Sequence, residues 1–151
     1  MVRFFTFSLY IITLFTCINL PESIASDKLA ISAKIANIRS GPGIKHEILW
    51  KAEKFYPVLI LNKKGTWCQF KDFENDTGWI HNSLLARIKA AVVIKEKCNI
   101  RSGPSTKNKV VFTAGKGVPF RVILRKGNWI KVEHVSGDQG WIYKTLVKLY
   151  Y

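Results

Sequence analysis

Asn37-Ile38-Arg39-Ser40-Gly41-Pro42 recurs as Asn99-Ile100-Arg101-Ser102-Gly103-Pro104, at an offset of 62 positions (99 − 37 = 62). Working outward, the offset holds without a gap. Pro57 falls on Pro119, Gly65 on Gly127, Trp67 on Trp129 and Leu84 on Leu146. Asp76-Thr77-Gly78-Trp79-Ile80 falls on Asp138-Gln139-Gly140-Trp141-Ile142. A gapless period this long exceeds most solenoid units and marks the duplication of a whole small domain, so each copy should carry its own core.

From Leu29 onward, short alternating runs are punctuated by Gly, Pro, Asn and Asp, and no apolar helical stripe persists. The expected class is therefore all-β. Strands are expected at 30–38, 47–51, 57–63, 66–72 and 77–81, and again at 92–100, 109–113, 119–125, 128–134 and 139–143. Ser40-Gly41-Pro42-Gly43 and Ser102-Gly103-Pro104-Ser105 open a longer loop, which Asn37 and Asn99 are expected to tie down. Alternation places Cys68 and Phe70 inward and Trp67 and Gln69 outward. In the second copy Ile130 and Val132 point inward, with Trp129 and Lys131 outward. Ile80 and Ile142 are inward on the last strand, while Trp79, His81, Trp141 and Tyr143 face out.

Short strands packed into each repeat, with a long first loop and tight later hairpins, suit a small closed barrel. At that size only ~60% of the unfolded chain's surface is buried, so two barrels should support each other. The short, partly apolar linker Ala86-Arg87-Ile88-Lys89 points to a close pair.

Residues 1–25 read as a secretory leader. Arg3 starts it, Phe4 to Ile18 is uncharged and apolar, Pro21 breaks the run, and Ser23-Ile24-Ala25 offers small residues for cleavage after Ala25. The apolar run is shorter than the ~20 residues of a spanning helix, which argues against a retained membrane anchor. Lipidation at Cys17 is disfavoured by the bulk of Thr16. An exported chain at the periplasm or cell surface is the expectation. With 24 Lys+Arg against 10 Asp+Glu, the net charge is +14, which suits electrostatic contact with an anionic envelope surface. Nucleic acid is not expected, because the basic residues are scattered through both repeats and the chain is read as exported. A solvated basic surface with no single partner is the alternative.

The combination of Asn-Ile-Arg-Ser-Gly-Pro, then Lys64-Gly65-Thr66-Trp67, then Gly78-Trp79-Ile80 followed by Leu84, with its second copy, resembles the bacterial SH3 (SH3b) family. The resemblance covers two tandem copies at 28–87 and 90–149. It implies one small SH3-like β-barrel per copy, used for cell-wall targeting or ligand binding and often found beside peptidoglycan hydrolases. It also implies a ligand groove next to the long first loop. By position, Arg39, Trp67 and Trp79 in the first copy and Arg101, Trp129 and Trp141 in the second become candidate ligand-binding residues.

The residues themselves leave these roles open. Arg39 and Arg101 could anchor loop carbonyls or meet a carboxylate bidentately. The outward tryptophans could cover the barrel, join the two barrels, or form a platform for peptide or sugar. No catalytic residue is expected. The repeats fill nearly all the chain after the leader, and Cys68 is matched by Ile130, which marks a core position rather than a nucleophile. Cys98 is matched by Ala36. A Cys68–Cys98 bridge is allowed by export but disfavoured, because the two residues belong to different repeats and are expected to face separate cores. His46, His81 and His134 show no metal-ligand spacing, and Asp76 and Asp138 sit at hairpin tips as turn residues, so no metal and no cofactor is expected. The functions left are attachment to cell-wall peptide or glycan, binding of an envelope protein, and service as accessory subunit to a separate wall hydrolase.

Overall fold

The computed structural model describes residues 27–151. The leader expected over 1–25, with Cys17, lies outside the described residues. Strands β1 (Lys28–Ile31), β2 (Ile35–Arg39), β3 (Ile48–Glu53), β4 (Pro57–Lys64), β5 (Trp67–Lys71), β6 (Thr77–His81) and β7 (Leu85–Ala86) form one antiparallel sheet in the order β3-β2-β6-β5-β4-β1-β7. Strands β8 (Ala90–Val93), β9 (Cys98–Arg101), β10 (Val110–Ala114), β11 (Pro119–Lys126), β12 (Trp129–Glu133), β13 (Gln139–Tyr143) and β14 (Val147–Tyr150) repeat that order as β10-β9-β13-β12-β11-β8-β14. The all-β pair of SH3-like barrels expected from the repeat is what forms.

Each sheet curls because its strands send side chains into one cluster. Ile31, Ile38, Val58, Phe70 and Ile80 come from five strands and meet in the first core. Val93, Ile100, Phe120, Ile130 and Ile142 do the same in the second. Fully burying such a side chain contributes about 1.5–3 kcal/mol. Cys68 lies in the first core and Cys98 in the second, both as free thiols.

Two expectations change. The strand expected over 30–38 is two strands, interrupted at 32–34, and the one over 92–100 is interrupted at 94–97. The inward positions explain why: Ile31 is buried on an odd number, Ala36 and Ile38 on even ones. One unbroken strand cannot reverse its faces. The break lets β1 pair with β4 while β2 pairs with β3 and β6. The closing strands β7 and β14, which follow short 3₁₀ turns at Asn82–Leu84 and Lys144–Leu146, were not expected.

One close approach fixes how β2 crosses β6. A Cβ on Gly78 would run into Cγ2 of Ile38. On Gly140 it would lie 2.5 Å from Ile100 Cγ2 and 3.0 Å from the carbonyl oxygen of Arg101. The glycine of each Gly-Trp-Ile run is there so that the isoleucine of the hexapeptide can sit against bare backbone.

The barrels pack against each other, as the short linker predicts. All four residues of β8 are buried. Ala91 and Val93 face the second core, while Ala90 and Val92, also fully buried, belong to neither core. Strand β8 lies against β4 of the first barrel, so its two faces serve two clusters. Tyr150 pairs with Ala90 and is only 5% exposed. Burial, aided by the nearby Asp72 charge of the first barrel, pushes its phenol up to about 12. Asp72 is itself buried, but its oxygens accept from Tyr56 Oη at 2.7 Å and from the backbone N–H groups of Glu74 and Asp76 at 2.8 and 3.0 Å. A buried carboxylate with three donors is satisfied. At the margin, Lys116 pairs with Glu74 at 2.5 Å. An exposed pair of that kind contributes little.

Replacing Gly140 by Ala should therefore lower stability by about 1–3 kcal/mol, because both the branched methyl of Ile100 and a backbone oxygen stand in the way. Urea unfolding followed by tryptophan fluorescence measures it. A neutral effect would show that the β9–β13 crossing is looser than described.

Candidate functional site

Each barrel carries a groove between its long first loop and the 3₁₀ turn that follows β6 or β13. In the first, about 250 Å³ is enclosed by Ile35, Ala36, Asn37, Arg39, Ile44, Trp67, His81 and Leu84. In the second, about 330 Å³ is enclosed by Lys97, Cys98, Asn99, Arg101, Thr106, Trp129, Tyr143 and Leu146. Every residue of the second lining is the first lining's residue plus 62. The groove is thus a property of the fold, formed twice from the same eight positions.

The aromatic wall comes from strand pairing. Trp67 stands opposite His81 and Trp129 opposite Tyr143, all on the outer face of their sheets. The rings meet edge to face, with centroids 5.4 Å apart and planes at 88° for Trp67–His81, and 5.3 Å and 79° for Trp129–Tyr143. That geometry suits the ring quadrupoles, and both indoles line their grooves. His81 is held further by Ser83, whose Oγ lies 2.7 Å from His81 Nδ1.

The opposite wall is the loop, and the arginine holds it. Arg39 Nη1 donates to the carbonyls of Ile44 at 2.9 Å and His46 at 2.8 Å. Arg101 Nη1 donates to Asn108 at 2.8 Å. Ser40 and Ser102 close the loop bases by donating to Glu47 and Lys109, each at 2.9 Å. Gly41 lies beneath the His46 ring, where a Cβ would come within 2.5 Å, and Gly103 lies beneath the Asn108 amide in the same way. Arg39 and Arg101 thus take the loop-anchoring role that the sequence left open for them and had also given to Asn37 and Asn99. The asparagines line the grooves instead.

Of the six candidate residues, the structure brings Arg39 and Trp67 to one groove and Arg101 and Trp129 to the other. Trp79 and Trp141 are outside both linings. They pair across the sheet with Arg39 and Arg101 and are half-buried there. The groove residues not singled out from the sequence include His81 and Tyr143, Leu84 and Leu146, Ile35 and Lys97, and the loop positions Ile44 and Thr106. The alternation already placed His81 and Tyr143 on the tryptophan's face, and only the cross-strand register was needed to join them.

Neither groove lining includes a carboxylate. Cys98 sits in the floor of the second groove, but burial pushes its thiol up, away from the thiolate a nucleophile needs. Among the described residues, no group of three or more His, Cys, Asp or Glu could hold a metal ion. A larger hollow, about 420 Å³, lies where Asp27, Lys28 and Arg87 meet Lys89 and Tyr150. Asp27 there is already paired, with Lys63 at 3.3 Å and with Arg87 at 3.0 Å, which holds its carboxyl below the usual range. The repeated grooves carry the better claim to a ligand.

A family model described as bacterial SH3 domain matches residues 32–86 and 95–148. The chain is 26% identical over 134 residues to "Putative N-acetylmuramoyl-L-alanine amidase YrvJ" of Bacillus subtilis, covering 82% of this chain and 26% of that protein. It is 36% identical over 52 residues to "Probable cell wall amidase LytH" of Staphylococcus epidermidis, covering 34% of this chain and 18% of that one. The chain thus spans about a quarter or less of the length of these curated relatives. A crystal structure of an NlpC/P60 family protein from Bacillus cereus aligns over 82% of this chain and 56% of its own, at 14% identity and a TM-score of 0.40.

If Arg39 anchors its loop, Arg39→Ala should speed amide exchange across residues 40–47 by about tenfold, since charge-assisted hydrogen bonds to two carbonyls are lost. The equivalent loop at 102–109 serves as the internal control. Unchanged exchange at 40–47 would show that the Ser40–Glu47 closure suffices.

Proposed function

The chain belongs to the bacterial SH3 domain family, and from that premise we propose that it is an exported, non-enzymatic protein whose two barrels attach to peptidoglycan through their grooves. The observation that carries the reading is the recurrence of one groove at eight matched positions, each with an indole wall and a guanidinium. An aromatic wall packs on peptide or sugar. A guanidinium beside it and the absence of lining carboxylates favour an anionic or carbonyl-rich ligand. Relatives named as cell-wall amidases support association with the wall, and the barrels would supply attachment rather than chemistry. Export rests on the leader read at residues 1–25, and no helix of the described residues is long and apolar enough to cross a membrane.

Two grooves on one compact body bind as a pair. A polymer that fills one raises the effective concentration at the other, so modest affinities combine. The net charge of +14 adds long-range attraction to an anionic wall and makes binding salt-sensitive.

A second reading has its own observation. Strands β3 and β10 are sheet edges, and each presents a pair of exposed aliphatics, Ile48 and Leu49 on one and Val110 and Val111 on the other. An extended segment of an envelope protein, such as a separate wall hydrolase, could add to those edges as a strand.

Sedimentation with purified peptidoglycan of several chemotypes separates the readings. The wall reading expects salt-sensitive depletion of the chain from the supernatant. Trp67→Ala together with Trp129→Ala should weaken it about tenfold or more, with far-UV circular dichroism unchanged. No depletion from any wall preparation, with one dominant protein adduct on cross-linking in cells, would replace the wall reading with the second.

A further inference from the structure

The two grooves are built from the same positions but not from the same chemistry. Where the first has Ile35, the second has Lys97, and where the first has Ile44, the second has Thr106. His81 becomes Tyr143, which adds a phenolic hydroxyl beside the indole. Ile35 and Ile44 are 57% and 77% exposed, an apolar rim held open to solvent. The loop that forms the outer wall differs in the same direction: Glu47 in the first barrel is Lys109 in the second. The arginines differ as well. Arg39 gives Nη1 to two carbonyls, whereas Arg101 gives it to one, so fewer of the Arg101 donors are engaged by its own loop.

From these differences we propose that the grooves divide the ligand between them: the second takes a free carboxylate of a peptide, and the first takes an apolar side chain. This rests on the reading of the grooves as wall-peptide sites. In the second groove Lys97 and Arg101 supply the charge, and Thr106 and Tyr143 supply neutral donors next to the Trp129 face. Both cations line the same groove, and charge-assisted hydrogen bonds from a guanidinium and an ammonium favour a carboxylate over a neutral group. Glu96, next to Lys97 in the chain, is not among the residues that line the groove. The first groove has Arg39 as its single lining cation, already committed to the loop, and two bare isoleucines at the rim. There an apolar ligand group loses water without stranding a charge.

The indole N–H signals of Trp67 and Trp129 report on the two grooves separately within one molecule. The probe is a synthetic wall stem tetrapeptide in two forms, with its carboxylates free and with them amidated, titrated into the full chain. The free acid should move the Trp129 signal with an affinity about fivefold or more above that of the amide. Trp67 should respond to both forms within about twofold, which also controls for general attraction to a basic protein. Lys97→Ile should abolish the preference at Trp129, and Ile35→Lys should create one at Trp67, with the rest of the amide spectrum unchanged in both. Equal affinity of the two forms at Trp129, or the preference appearing at Trp67 in the unaltered chain, would overturn the division. If neither indole moves with either form, the wall-peptide reading of both grooves falls, and this inference falls with it.

Discussion

The groove side of each barrel depends on one close approach, an isoleucine methyl seated on a glycine. Ile38 lies on Gly78 and Ile100 on Gly140, which sets the crossing of β2 over β6 and of β9 over β13. That crossing carries the next residue, Arg39 or Arg101, out of the core and up to the long loop. The same sheet holds the following strand in register, so that Trp67 meets His81 and Trp129 meets Tyr143. Core packing at one position therefore places both the cation and the aromatic wall of the site. A side chain at the glycine would push apart the parts that form the groove.

The second constraint is the seam. A barrel this small has little core of its own, and the chain answers by burying both faces of β8. Ala90 and Val92 fill the outer face, and Tyr150 closes over it near the hydrogen-bonded Tyr56–Asp72 pair. These residues break the repeat: Tyr56 is matched by Val118 and Asp72 by His134. The copies differ where they meet each other, and again at the groove rims. They stayed identical in the hexapeptide and in the Gly-Trp-Ile run it packs on.

Much of the fold was legible because the repeat aligns without gaps and each strand alternates cleanly. The inward set of Cys68, Phe70, Ile80, Ile130, Val132 and Ile142 follows from that alternation and is buried as expected. The break in the first strand was legible only through parity, since Ile31 and Ile38 cannot share a face of one strand. The closing strand β7 has two residues, too few to show a period. At the site, the arginines and the first tryptophan of each copy could be named from sequence. Their partners His81 and Tyr143 could not, because that contact arises from cross-strand register, which periodicity along one strand does not encode. Trp79 and Trp141 looked equivalent to Trp67 and Trp129, and only the position of the 3₁₀ turn separates them.

The central claim is that these two grooves, rather than the seam or the sheet edges, meet the wall. Hydroxyl-radical footprinting of the chain bound to intact peptidoglycan tests it most directly, since tryptophan, tyrosine and histidine side chains all report. Protection centred on Trp67, His81, Trp129 and Tyr143, with the Ile48-Leu49 and Val110-Val111 edges still reactive, is the predicted result. Binding that leaves those four residues as reactive as in the free chain would contradict it.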